Sequence, residues 1–342
     1  MRIPIFFFQL ISNSFHQRNY YKNIVRNLAT QSHYFIFMNP FSNIAAKAAD
    51  SPATIDFRRL ARAISLVENE SLNYEELLLN LKPSSAKIIG VTGAPGAGKS
   101  SLVDALIAEM IQDKKKVGVI CVDPSSPFNK GALLGDRIRM SEWYNHPDVF
   151  IRSLASKGSL GGLHPKIIEI SDLLKSAGFD YVIIETVGVG QSEVDIAALA
   201  DITVVMLVPE GGDIIQTMKA GLMEVADIFV INKFDRPGAQ NFYNSLKQML
   251  SPAFNKSSKS IPILKTVASE KEGIAELYRK INDWQSDNQS EQKINLLTEK
   301  IWALIQNEKM KHFDKEKMKL EITEAISNAD FNMYSFAKKY ER

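Results

Sequence analysis

Cysteine is almost missing. Cys121 is the one thiol in 342 residues, so neither an intramolecular disulfide nor a thiolate metal cluster can form within the chain. The five histidines, His16, His33, His146, His164 and His312, are scattered and share no metal-ligand spacing. No run of about 18 apolar residues occurs, which excludes a membrane-spanning helix of ordinary length. Neither sign of charge dominates: 41 Lys+Arg against 39 Asp+Glu leave +2, so neither nucleic acid nor an anionic membrane is expected as the main partner. No segment repeats at a fixed period, and solenoids are excluded. What remains is ordinary globular composition, 45% hydrophobic and 23% charged. At this length it suits one large α/β domain with helical additions.

Acidic residues are absent from the first 49 positions, whereas Arg2, Arg18, Lys22, Arg26 and Lys47 are present. Two readings follow. An acid-poor, Arg-bearing start resembles an organellar targeting peptide, which would place the protein in a mitochondrial matrix. Alternatively, translation begins at Met38 and the protein works in a bacterial cytoplasm. In both cases residues 1–37 are an extension expected to be disordered and stay outside the fold. From Asp56 to Leu81, apolar residues recur at helical spacing (Leu60, Ile64, Val67, then Leu72, Leu77, Leu78, Leu81), which predicts two amphipathic helices broken near Glu70-Ser71.

Residues 86–285 alternate short apolar runs with helix-period segments. The runs are Ile88–Val91, Val117–Val122, Tyr181–Ile184, Ile202–Val208, Ile228–Ile231 and Ile261–Leu264. Continuous rather than alternating hydrophobicity predicts strands covered on both faces, as in a parallel sheet between two helical layers. Ligands of such sheets bind beyond the carboxyl ends of the strands. After Glu291, Ile294, Leu297, Ile301, Leu304 and Ile305 form one face of a Lys- and Glu-rich helix, and Ile322, Ala325 and Ile326 mark another. The expected division is 1–37, a helical segment 38–85, the α/β domain 86–285 and a C-terminal helical segment 286–342.

The loop after the first run reads Gly93-Ala94-Pro95-Gly96-Ala97-Gly98-Lys99-Ser100-Ser101 and matches G-x-x-x-x-G-K-[ST] in full, with a helix pattern behind it. Glycines let backbone N–H groups turn inward around phosphate oxygens, and the helix start adds a positive dipole end. Lys99 reaches the β and γ phosphates, and the Ser100 hydroxyl ligates Mg²⁺. The expected fold is therefore a three-layer P-loop NTPase with a mostly parallel central sheet.

Asn232-Lys233-Phe234-Asp235 directly follows another run and resembles the base-recognition motif of GTPases. A carboxylate at Asp235 accepts from guanine N1–H and N2–H₂, a pair adenine cannot supply. Val267-Ala268-Ser269 stands where GTPases usually carry Ser-Ala; the Ala268 N–H is a candidate partner for guanine O6. Acids fall at the other strand ends: Asp123, Asp136 in the loop beyond it, and Glu185. With Ser100 they form the candidate Mg²⁺ set. Glu185-Thr186-Val187-Gly188 has the shape of the D-x-x-G switch motif with Glu for Asp, and the Gly188 N–H would meet the γ phosphate. Lys99, Glu185 and Gly188 are the expected catalytic residues. Val189 follows the switch glycine, where Ras-like GTPases place the Gln that orients water. Gln191 is two residues further on. Slow hydrolysis in isolation, accelerated by a partner, is the expectation.

These motifs, together with Val122–Pro127, Leu134–Met140, Glu185–Glu193, Arg59–Glu68 and Gly211–Lys219, resemble the methylmalonyl-CoA mutase-associated GTPases, the MeaB/ArgK-type family of the SIMIBI branch, over about residues 55–328. The resemblance implies a homodimeric GTPase that binds GTP/GDP with Mg²⁺. It also implies a chaperone of a cobalamin-dependent acyl-CoA mutase, one that gates adenosylcobalamin loading and protects or reactivates the mutase. Residues 209–220 then resemble a third switch loop with Lys219 as its partner-responsive base, and the C-terminal helices resemble a dimerisation arm. The first switch departs from the pattern: Phe128-Asn129-Lys130-Gly131 replaces a more Gly-rich segment, and Arg137 and Ile138 stand where Lys and Thr are usual.

Three other readings compete. A nickel or cobalt chaperone GTPase of the same branch would usually show Cys or His clusters. An ATP-driven kinase or transport-coupled ATPase conflicts with Asp235. A nucleotide-sensing scaffold with negligible turnover is favoured only by Val189.

Overall fold

The computed structural model describes residues 55–123, 137–156, 163–188, 192–209, 225–250, 261–284, 291–326 and 331–340. Expectations placed on residues 1–37, Lys130, Asp136, Val189, Gln191 and Lys219 lie outside the described residues, as does the third switch loop beyond residue 209. The chain divides after Leu81 into an N-terminal unit and a larger one.

The N-terminal unit contains α1 (Phe57–Glu68) and α2 (Tyr74–Leu79), broken where the sequence predicts. Asp56 caps α1, its Oδ1 accepting from the N–H groups of Arg58 (3.1 Å) and Arg59 (3.0 Å). Leu60, Ala63, Ile64 and Val67 bury one stripe of the helix. Leu72 does not join this face. It falls in the break and is 90% exposed, and Tyr74 is the residue of the second stretch that is buried.

The larger unit is a seven-stranded sheet with β1 (Lys87–Gly93), β2 (Val117–Asp123), β3 (Val149–Ala155), β4 (Tyr181–Glu185), β5 (Ile202–Leu207), β6 (Ile228–Ile231) and β7 (Ile263–Lys265). The spatial order is β3-β2-β4-β1-β5-β6-β7, and every pairing is parallel. Its helices are α3 (Lys99–Gln112), α4 (Ile167–Ser176), α5 (Ser192–Leu199), α6 (Ala239–Met249) and α7 (Ile274–Asp283). Alternation along each strand sorts them into two layers. Ile89 and Val91 of β1 share a core with Leu102 and Leu106 of α3 and with Ile274 and Leu277 of α7. Between them Gly90 turns the other way, to Ile196 and Ala200 at α5. Leu174 of α4 lies against Gly118 of β2, and Leu246 of α6 packs with Val205 and Phe229. Lys87 holds α7 to the amino edge of the sheet, its Nζ donating to the carbonyls of Ile281, Asn282 and Trp284 at 2.9–3.2 Å.

All six predicted runs are strands. The seventh, β3, has no continuous run to betray it because Arg152 and Ser153 interrupt Val149–Ala155. Its position at an edge, with β2 its one partner among the described residues, tolerates that mixture. At the opposite edge the strand begins two residues later than its apolar run. Pro262 offers no N–H to a ladder, although its carbonyl accepts from Phe229 N at 2.9 Å.

Beyond the sheet lie α8 (Glu291–Met310), α9 (Lys315–Ala325) and α10 (Met333–Ala337). Asp314 caps α9 through the N–H groups of Glu316 and Lys317. Among its described side chains, the predicted stripe on α8 is largely uncovered within one chain: Ile294, Ile301 and Ile305 are exposed, and Leu304 is half-buried. No helix among the described residues is long and apolar enough to cross a membrane.

A Cβ added at Gly90 would lie 2.6 Å from Ile196 Cγ1, closer than packed carbons can come. Gly90→Val should therefore cost about 1–3 kcal/mol through overpacking. Urea unfolding of the full chain reads this as a lower midpoint at unchanged slope. An unchanged midpoint would contradict the close packing of α5 on β1.

Candidate functional site: a phosphate loop and its neighbours

Because all seven strands are parallel, their carboxyl ends share one edge of the sheet, and the loops that leave them converge there. β1 opens into the phosphate loop, and α3 starts at Lys99, the motif's lysine. Gly98 caps that helix in the left-handed region at φ 92°, and a Cβ on it would lie 2.5 Å from Asn232 Nδ2. Within the loop, Lys99 Nζ donates to the carbonyls of Gly93 (2.9 Å) and Ala94 (3.2 Å), so its charge is held at the inner rim. Pro95, Gly96 and Ala97 complete the turn, and the Ala97 N–H returns to Ala94 O at 3.1 Å. Ser100 is buried one residue into the helix, and Ser101 is half-buried beside it.

The Ser100 hydroxyl donates to Glu185 Oε1 at 2.7 Å. That contact joins the start of α3 to the end of β4, and both side chains are almost fully buried. Cys121 Sγ stands 3.9 Å from the other carboxylate oxygen, Glu185 Oε2. Cys121 and Asp123 are two residues apart on β2 and so face the same side of the sheet. Asp123 is buried at the strand end beside β3, and its carbonyl accepts from Ser156 N at 2.9 Å. The Ser100 hydroxyl and the Glu185 carboxylate bring together hard oxygen donors of the kind Mg²⁺ takes alongside phosphate oxygens and waters, and Asp123 is a further buried acid at this edge of the sheet. Among the described residues no group of three or more His, Cys, Asp or Glu side chains forms a metal cage by itself. Asp136, the remaining acid of the predicted set, lies outside them.

Gly188 reaches the phosphate loop directly. A Cβ there would collide with the Gly93 carbonyl oxygen and come within 2.6 Å of Lys99 Nζ, and φ is 81°. Only glycine allows this approach.

The N-K-x-D segment leaves β6 and ties three loops together. Asn232 Nδ2 donates to Ala97 O at 2.8 Å, while its Oδ1 accepts from Ala268 N (3.0 Å) and from the Thr266 hydroxyl (3.1 Å). Lys233, at φ 56°, sends Nζ to Gly96 O at 2.8 Å. Asp235 stands exposed in the turn that follows, and Ser269 is exposed on the third loop. Val267 and Ala268 are buried, and Val267 pairs with Glu272 across a tight turn. The Ala268 N–H, expected for guanine O6, is directed at Asn232 Oδ1 in this structure.

The predicted residues on strands β1, β4, β6 and β7 and their loops are thus brought together. Four contributors went unnoticed in the sequence. Thr266 precedes the third loop and braces Asn232. Cys121 lies two residues before Asp123, a period-2 spacing that marks it. Thr92 and Thr186 bond to each other at 2.9 Å, directly before Gly93 and directly after Glu185.

Asn232→Ala removes three hydrogen bonds and strands the Ala97 carbonyl and the Ala268 N–H in a buried place. A loss of about 1–3 kcal/mol in unfolding free energy is expected, together with at least tenfold weaker GDP binding. Chemical denaturation and nucleotide titration check these; wild-type values for both would contradict the bracing role.

The family description methylmalonyl-CoA mutase-associated GTPase MeaB matches residues 60–318. A candidate GTPase of Pyrococcus horikoshii is 42% identical over 293 residues, covering 82% of this chain and 92% of its own. The GTPase ArgK of Escherichia coli K12 is 38% identical over 239 residues, 66% of this chain and 72% of its own. A protein of Cupriavidus metallidurans named fused isobutyryl-CoA mutase is 35% identical over 246 residues, which span 69% of this chain and 22% of that one. Among solved structures, one titled LAO/AO transport system kinase superposes with a TM-score of 0.55 at 26% identity, covering 84% of this chain and 93% of its own. With the phosphate loop and the N-K-x-D segment in place on a parallel sheet, the chain belongs to the MeaB family, the methylmalonyl-CoA mutase-associated GTPases, and is a guanine-nucleotide-binding P-loop GTPase.

Proposed function

We propose that this GTPase serves a cobalamin-dependent acyl-CoA mutase, gating the loading of adenosylcobalamin and protecting or reactivating the mutase. The observation that carries the mutase link is the Cupriavidus relative, in whose single chain a segment similar to this protein belongs to a protein named for a mutase. The family's own description points the same way. A homodimer through the C-terminal helices is supported by the apolar side chains of α8 that one chain leaves exposed, Ile294, Ile301, Trp302 and Ile305.

In this reading the backbone N–H groups of residues 93–101 hold the phosphates. Lys99 is already positioned by the Gly93 and Ala94 carbonyls, and its ammonium offsets negative charge on the β and γ phosphates. Ser100 and Glu185, with Asp123 and Asp136, are the residues that would hold magnesium. When bound, the ion neutralises charge that builds on the phosphates during transfer. The Gly188 N–H meets the γ phosphate from the switch loop. Water attacks γ phosphorus, the bond to the β–γ bridging oxygen breaks, and GDP and inorganic phosphate leave. Asp235 selects the base by accepting from guanine N1–H and N2–H₂. Hydrolysis is slow until the partner orders the loops.

Asp235→Asn exchanges an acceptor for a donor toward guanine. GTP affinity should fall by at least about 100-fold, the scale of two hydrogen bonds to a charged group, and xanthosine triphosphate should gain. Titration of both nucleotides checks it, and unchanged GTP affinity would contradict base reading by Asp235. For the partner, the full chain loaded with GTP or GDP is used to capture proteins from its own cell extract. Recovery of a cobalamin mutase that depends on the loaded nucleotide is the expected result. Recovery of a hydrogenase or urease instead would overturn the mutase assignment.

A further inference from the structure

The GTPase reaction needs the switch loop to stand in register with the phosphate loop, and two side chains outside both motifs' expected roles lie at that junction. Thr92 is the last residue before Gly93, and Thr186 is the first after Glu185; both are buried, 0% and 2% exposed. Their hydroxyl oxygens are 2.9 Å apart. The neighbouring backbone is paired too: Val91 is in register with Glu185, and Thr186 N donates to Val91 O at 3.0 Å. The hydroxyl pair therefore extends the β1–β4 pairing one step past the ladder, to the point where both chains turn into loops. Two residues beyond Thr186 is Gly188, whose α-carbon is so close to the Gly93 carbonyl and Lys99 Nζ that no side chain fits. A slip of one loop against the other must either break this contact or create a clash.

We propose that Thr92 and Thr186 are positioning residues for GTP hydrolysis, a hydroxyl latch that registers the Glu185–Gly188 loop on the phosphate loop. The latch acts through Gly188 and Lys99. It touches neither the base nor the loop amides that hold the phosphates, so it sets the rate of the chemical step and leaves nucleotide affinity nearly alone. Small misplacement of a transition-state group is costly in rate, and a hydroxyl pair fixes distance where an apolar pair of equal shape fixes only volume.

The inference rests on the GTPase reading and has its own test. Thr186→Val, Thr92→Val, the double variant and Thr186→Ser are compared with wild type for kcat, KM and urea midpoint. Each single valine leaves one buried hydroxyl without its partner, whereas the double variant removes both and recovers stability. The latch predicts that kcat falls about tenfold in both single variants with KM changed less than about threefold. It predicts that kcat stays equally low in the double variant although the midpoint returns, and that Thr186→Ser restores kcat. A wild-type kcat in the single variants would overturn the proposal, as would recovery of kcat together with stability in the double variant. Wild-type protein that fails to hydrolyse GTP at all would instead overturn the reading on which it rests.

Discussion

A buried primary amide has donors and acceptor lone pairs to satisfy, and Asn232 places one N–H and both lone pairs on two loops far from it and from each other in sequence. Its NH₂ holds Ala97 in the phosphate loop, and its oxygen holds Thr266 and Ala268 beyond β7. With Lys233 on Gly96, the N-K-x-D segment is physically fastened to the phosphate-loop motif. The site's geometry follows from that fastening. It works because β1, β6 and β7 are parallel and deliver all three loops to one edge. Gly98 is part of the same constraint, since any side chain there would displace the amide.

On the other flank of β1 the site is built from β4 and β2. Ser100 and Glu185 close a contact between the helix start and a strand end, and Gly188 lies against Lys99. Buried polar contacts of this kind are costly when half-made and rigid when complete. The N-K-x-D side of the site is thus fixed by the hydrogen bonds of a side-chain amide, and the Glu185–Gly188 side by hydroxyl–carboxylate and glycine contacts. In the proposed function the second side is where nucleotide state is sensed, because its contacts involve the groups assigned there to the γ phosphate.

Much of this was legible in the sequence for physical reasons. Strands covered on both faces must be apolar throughout, so six of the seven announce themselves as runs. β3 does not, because an edge strand carrying Arg152 and Ser153 has no such obligation. The phosphate loop and the N-K-x-D segment were legible as loops at strand ends because such motifs have fixed residue types at fixed spacing. The bracing residues were not. Thr266, Thr92 and Thr186 are ordinary β-formers whose hydroxyls gain meaning only once parallel register brings them to their partners. Leu72 shows the opposite failure: helical spacing counted it inward, but it falls in the turn between α1 and α2.

The central claim is that this edge of the sheet holds a guanine nucleotide, gripped by main-chain amides and sorted by one carboxylate. Calorimetric titration of the full chain with GTP and with ATP, each with magnesium, tests it most directly. The account predicts that GTP binds at least about 100-fold more tightly than ATP, the worth of two hydrogen bonds to a charged acceptor. Equal affinity for the two, or binding of neither, would contradict it.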